Sequence, residues 1–294
     1  MLAALDEDGA APEQINLDAC ELASLPEAVR SYTNARVLSA YDNELTDVPD
    51  WLWQFTRLET LNLSANRLSY LPEGIRQLTE LRMLDLGHNK LTALPEALGE
   101  LHQLEFLYLS NNRLMALPDA LRNLRHLKYL NITDNALAAL PDWLGNFEGL
   151  VELRLYNNVI EALPESLGDL GQLRELHVMN NRLTDLPETL GKLFSLSKLM
   201  LQGNRLATLP PEIGDLRQLT DLDLRFNNLT ALPGTLADLQ NLRFLDLRAN
   251  RLAALPEGLA TLPKLEKLDL RWNRLTALPS WVKHLERRGC VVYA

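Results

Sequence analysis

Residues 81–103 read LRMLDLGHNKLTALPEALGELHQ, and the next 23 residues return the same frame as LEFLYLSNNRLMALPDALRNLRH. The fixed positions of the first copy are Leu81, Leu84, Leu86, Asn89, Leu91, Leu94 and Pro95. Working outward, the asparagine recurs every 23 residues from Asn43 to Asn273, and the proline from Pro26 to Pro279, with no insertion. Twelve units of 23 residues cover 12–287. A period of this length, kept this strictly, predicts a solenoid in which each unit is one coil and neighbouring coils share a continuous core.

Local patterning assigns the parts of each coil. In Leu84–Asp85–Leu86 the apolar residues alternate at period two, a strand signal. Strands that recur every 23 residues can stack only as a parallel sheet. After the proline the spacing changes: Leu94, Leu98, Leu101 and Leu104 form one apolar stripe on a short α or 3-10 segment. Proline suits the start of such a segment, and acidic residues such as Glu96, Asp119 and Glu165 complement its N-terminal dipole. Gly99, Gly145, Gly168, Gly191 and Gly214 recur inside it and weaken a long helix, so the segments are expected to be short. The recurring asparagine sits where the strand turns away. Its amide both donates and accepts, so it is expected to bridge adjacent coils.

With these motifs the chain resembles the leucine-rich-repeat family over nearly its whole length. The 23-residue unit ending in Leu-Pro is similar to the class found in Ras-suppressor-type intracellular proteins and in many bacterial repeat proteins. The resemblance implies an α/β fold: a right-handed solenoid, horseshoe or arc in outline, with a concave parallel sheet and convex short helices. It also implies a protein-binding scaffold.

The ends depart from the repeat. Residues 1–11 are acidic and alanine-rich and read as a tail or thin cap, and the first unit carries Ile15, Leu17 and Cys20 in place of Leu, Leu and Asn. At the other end 279–288 reads as a final helix with Trp281, Val282 and Leu285 inward, and Gly289 as its left-handed stop. Residues 288–294 then read as a capping strand, with Val291 and Tyr293 in the leucine register. A single domain over 1–294 is expected. Cys20 and Cys290 are expected to be small core hydrophobes. Eleven strand steps of about 4.8 Å separate their coils, against the roughly 7 Å that a disulfide spans.

Charge and composition narrow the function. The net charge of −10 lacks the basic footprint that nucleic acid or an anionic membrane would need. No run of about 18 apolar residues is present, and the N-terminus lacks the basic start and apolar stretch of a Sec signal. A cytoplasmic monomer is expected, with export by a non-Sec route left open. There is no phosphate loop, C-x-x-C, H-E-x-x-H or G-x-S-x-G, and the five histidines have no metal-ligand spacing in the sequence. No catalytic residue, metal or cofactor is expected. Asn62, Asn131 and Asn228 stand in N-x-S/T sequons that read as chance matches.

Function is therefore expected on the exposed strand positions six, four and two residues before each asparagine. Met83, Phe106, Tyr108, Tyr129, Arg154, Tyr156, His177, Met179 and Met200 gather there, of the types enriched in interface hot spots. Arg225, Arg248 and Arg271 form a second group in the Asp-Leu-Arg triplets 223–225, 246–248 and 269–271, flanked by Phe226 and Trp272. The aspartates and arginines are expected to pair with each other, with a charged specificity rim as the alternative. The expected partner is a protein. A bacterial secreted effector, or a fragment of one, acting on a host protein would use the same surface, and a carbohydrate or small-ligand receptor would instead need a deep polar pocket.

Overall fold

The computed structural model describes residues 12–294; the tail over 1–11 lies outside the described residues. The chain divides into two compact units, one ending at Leu137 and one beginning at Ala138. The first unit holds strands β1 (Gln14–Asn16), β2 (Val37–Ser39), β3 (Thr60–Asn62), β4 (Met83–Asp85), β5 (Phe106–Tyr108) and β6 (Tyr129–Asn131). The second holds β7 (Glu152–Arg154), β8 (Glu175–His177), β9 (Lys198–Met200), β10 (Asp221–Asp223), β11 (Phe244–Asp246), β12 (Lys267–Asp269) and β13 (Val291–Tyr293). In each unit the strands pair in parallel and in sequence order, leucine against leucine except at the ends, where Ile15 pairs with Leu38 and Val292 with Leu268. Leu61, Leu84, Leu107 and Leu130 form one such row, and Leu153, Leu176, Leu199, Leu222, Leu245 and Leu268 another.

The alternation expected of the strands is present, as in β4 and β7, where the central leucine is buried and its two neighbours are part-exposed on the opposite face. The core lies between the sheet and the outer segments. It is mainly leucine, with Phe55 and Phe147 as its largest fully buried side chains, and each buried leucine gains about 2 kcal/mol from burial.

The outer segments are 3-10 turns, most of them five residues long, such as Glu96–Glu100 and Glu165–Asp169. Proline stands one position earlier than expected, at the N-cap with extended backbone. Its carbonyl accepts the first bond of the turn, from Leu98 N–H at 3.2 Å. The recurring glycine also has a different cause from the one its helix propensity suggests. A Cβ at Gly99 would lie 2.4 Å from Ala120 O on the next coil, and one at Gly168 would lie 2.4 Å from Thr189 O. The glycines let adjacent coils touch backbone to side-chain position.

The asparagine ladder bridges coils as expected. Asn89 Nδ2 donates to Leu63 O on the preceding coil at 2.9 Å and to Leu86 O and Gly87 O on its own. Its Oδ1 accepts from Leu68 N–H at 2.9 Å. Leu68 N–H has no other acceptor, while the carbonyls are shared with the asparagines of the neighbouring coils, Asn66 at Leu63 O and Asn112 at Leu86 O.

Three end readings need correction. Cys20 is exposed and only Cys290 is buried; both are free thiols. Cys20 holds the ladder position of the first described coil, which has no earlier described coil to cover it. In the last coil Val292, not Val291 or Tyr293, pairs with Leu268, so Val291 and Tyr293 lie in register with Lys267 and Asp269. The α-helix α1 (Val282–Arg287) and the left-handed Gly289 put 24 residues between Leu268 and Val292 instead of 23, and one added residue flips a strand's faces. Val282 and Leu285 are buried as expected, whereas Trp281 is only part-buried.

Candidate functional site

The non-repeating side chains stand on the sheet face away from the core. In the first unit Met83, Phe106 and Tyr129 form a row across β4, β5 and β6. Tyr108, in the row beside it, packs against Tyr129 with ring centroids 4.9 Å apart. Phe106 is 37% exposed and the other three are part-buried, so all four offer apolar surface that the chain itself does not cover. In the same face Asp85 opposes Tyr108. Burial raises its carboxyl pKa, against the lowering effect of the Gly87 N–H it accepts at 2.9 Å.

In the second unit Arg154, His177 and Met200 form a row across β7, β8 and β9, and Tyr156 and Met179 are part-buried two residues beyond Arg154 and His177. The sequence reading missed the charges woven through this group. Glu152 and Glu175 face one another in register. Arg154 pairs with Glu152, and Lys198 Nζ lies 2.8 Å from Glu175 Oε1. His177 Nε2 lies 3.0 Å from Glu175 Oε2 and 4.0 Å from Glu152 Oε1. Burial opposes ionisation of Glu175, yet its bonds to Lys198 and His177 outweigh burial together and hold its pKa below the usual value. The only sequence signal for this cluster was the 23-residue offset between Glu152 and Glu175, with His177 two residues on.

The Asp-Leu-Arg triplets pair within themselves. Arg225 Nε lies 3.0 Å from Asp223 Oδ2, and Arg248 binds Asp246 bidentately at 2.9 and 2.6 Å. Arg271 Nη2 lies 2.6 Å from Asp269 Oδ2, which Arg248 also approaches at 3.3 Å. Asp269, expected on the exposed face, is fully buried. Burial would raise its carboxyl, but the Arg271 hydrogen bonds and the two guanidinium charges outweigh it and hold the pKa down. At Asp223 the balance is reversed: burial, helped by Asp246, raises the pKa despite Arg225. With Arg248 bridging Asp246 and Asp269, this carboxylate pair is poorly suited to acid–base work.

Phe226 and Trp272 are more unusual than their sequence positions suggested. Both have left-handed backbone, a conformation that costs a bulky residue about 1–2 kcal/mol. Equivalent positions carry Asn157, Asn180 and Gly203. Both aromatics are nonetheless exposed, at 53% and 65%, with ring centroids 6.4 Å apart. Arg271 stacks near Trp272 and Tyr293. A shallow cavity of 220 Å³ opens on the sheet face between Met200, Asp221, Asp223, Phe244 and Lys267. That is small for a drug-sized ligand, which needs roughly 300 Å³ or more.

Coils of this kind, stacked through a leucine core and an asparagine ladder, define a leucine-rich-repeat solenoid. Comparison with known families agrees: "Leucine-rich repeat region" matches residues 117–202, and "Leucine rich repeat" matches 70–114, 194–252, 57–78 and 264–285. Among solved structures, a leucine-rich-repeat protein of Leptospira interrogans is 30% identical, with 93% of this chain and 82% of that one covered and a TM-score of 0.67. The plant peptide hormone receptor RGFR1, solved in complex with RGF2, is 25% identical with a TM-score of 0.81; the match covers 92% of this chain and 45% of that one. A chain of the octameric complex of Latrophilin 3, Unc5D and FLRT2 is 26% identical, covering 96% and 90%, with a TM-score of 0.78. No curated protein matches. The chain belongs to the leucine-rich-repeat family.

Proposed function

We propose that the chain binds another protein on the open face of its sheet, without catalysing a reaction. The observation that carries this reading is the Met83–Phe106–Tyr129 row with Tyr108 beside it. Four large side chains of hot-spot type stand together where the repeat leaves residue choice free. Tyr156, Met179 and Met200 offer the same chemistry in the second unit, and Arg225, Arg248 and Arg271 form a charged margin whose contacts are salt-sensitive. Solved relatives support the reading, since the plant receptor and the FLRT2-containing chain were both captured in protein or peptide-hormone complexes. Pull-down with crosslinking tests it. Tyr108→Ala with Tyr156→Ala should abolish capture of the partner while the circular-dichroism melt stays unchanged. Undiminished capture would remove this face from consideration.

The compartment proposed is the bacterial cytoplasm, where two unbridged thiols fit a reducing milieu. The second reading is an exported bacterial effector, or a fragment of one, that uses the same face on a host protein. A secretion assay on cells producing the full reading frame separates the two. The chain is proposed to act as a monomer, which light scattering on the purified protein measures.

A further inference from the structure

Glu152, Glu175 and His177 carry the furthest inference. Glu152 and Glu175 oppose one another in register on β7 and β8, a juxtaposition of like charges that concentrates carboxylate oxygens at one point and that Arg154 and Lys198 offset. His177 brings a ring nitrogen to the same point. One donor atom from each of the three residues lies within 4.8 Å of the other two. We propose that these three side chains bind a divalent transition-metal ion of the Zn²⁺ type, with water completing the coordination.

The donor set and its spacing both support this. One imidazole and two carboxylates suit Zn²⁺ and its neighbours in the first transition row. Donors held about 2.1 Å from a tetrahedral zinc are roughly 3.4 Å from one another. The two distances from His177 Nε2, 3.0 Å to Glu175 and 4.0 Å to Glu152, fall on either side of that value. Small side-chain rotations would equalise them. Side-chain exposures of 14% for His177, 21% for Glu152 and 26% for Glu175 give the site a semi-enclosed floor with one side open to water.

Two cations now occupy the neighbourhood. Arg154 Nε donates to the Glu152 oxygen that faces His177, and Lys198 holds the other oxygen of Glu175. Both are more exposed than the ligands, and solvent screening weakens their hold on the two carboxylates. Metal binding would exchange the Arg154 contact for a metal–oxygen bond and leave Lys198 in place. His177 would bind through Nε2 and carry its proton on Nδ1.

Calorimetric titration of tag-free protein with ZnCl₂, repeated with MgCl₂ and checked by Co²⁺ absorption, tests the site. Saturable binding of one Zn²⁺ per chain is expected, without comparable Mg²⁺ binding. His177→Ala and Glu175→Gln should each weaken it by at least roughly tenfold. Arg154→Ala should tighten it, an effect that a structural disturbance would not produce. Absence of saturable Zn²⁺ binding, or binding unchanged in both ligand variants, would overturn the proposal. The result is independent of partner capture, which is read without metal.

Discussion

Asn89 holds four hydrogen bonds from one buried amide; if it were lost, Leu63 O would keep Asn66 Nδ2, Leu86 O would keep Asn112 Nδ2 and Gly87 O would keep Ala65 N–H. Leu68 N–H then has no acceptor. Asn89→Ala should therefore cost about 1–3 kcal/mol, read as a shift in urea midpoint; a loss near zero would mean that water replaces the amide freely. The two cysteines give a second residue-level check. Burial pushes the Cys290 thiol pKa up, and Cys20 is exposed. Iodoacetamide on native protein should modify Cys20 alone, and both thiols in denaturant, as intact mass will show. The ladder was legible because asparagine repeats. The fate of Cys20 was not, because burial at that position comes from an earlier coil, which sequence pattern alone does not supply.

At the scale of turns and strands, Gly99 separates two physical effects. Helix propensity alone would make Gly99→Ala stabilising by about 1 kcal/mol. The 2.4 Å approach of Ala120 O to a new Cβ opposes this and should win, with a loss of about 1–3 kcal/mol in thermal or urea melts. A gain in stability would show that the coils can separate without cost. Asp269 offers a pH test on β12. Its folded pKa lies below the usual carboxylate value, so its stabilisation is full above the unfolded pKa and is lost as pH falls through the folded one. Asp269→Asn should cost about 2 kcal/mol near neutrality, and the gap from wild type should close in strong acid. A gap that is constant with pH would contradict the ion-pair account. Strand and turn positions were legible from period-two and proline spacing. The β13 register was not, since one extra residue around α1 and Gly289 breaks the count.

Across the whole molecule, the leucines that define the fold say nothing about what it binds. They are interchangeable from coil to coil, and only the part-exposed strand positions differ. The sequence columns placed Met83, Phe106, Tyr108 and Tyr129 on one face, where the structure brings them together. The columns did not show that His177 would meet both Glu152 and Glu175, because those contacts depend on side-chain rotamers across strands 23 residues apart. Hydroxyl-radical footprinting of the partner-bound protein tests the binding claim most directly. Oxidation of Met83, Phe106, Tyr108 and Tyr129 should fall on binding, while the exposed Met115 and Phe194, away from the strands, react as before. Protection confined to Met115, Phe194 and the outer turns, with the strand residues unchanged, would contradict the account.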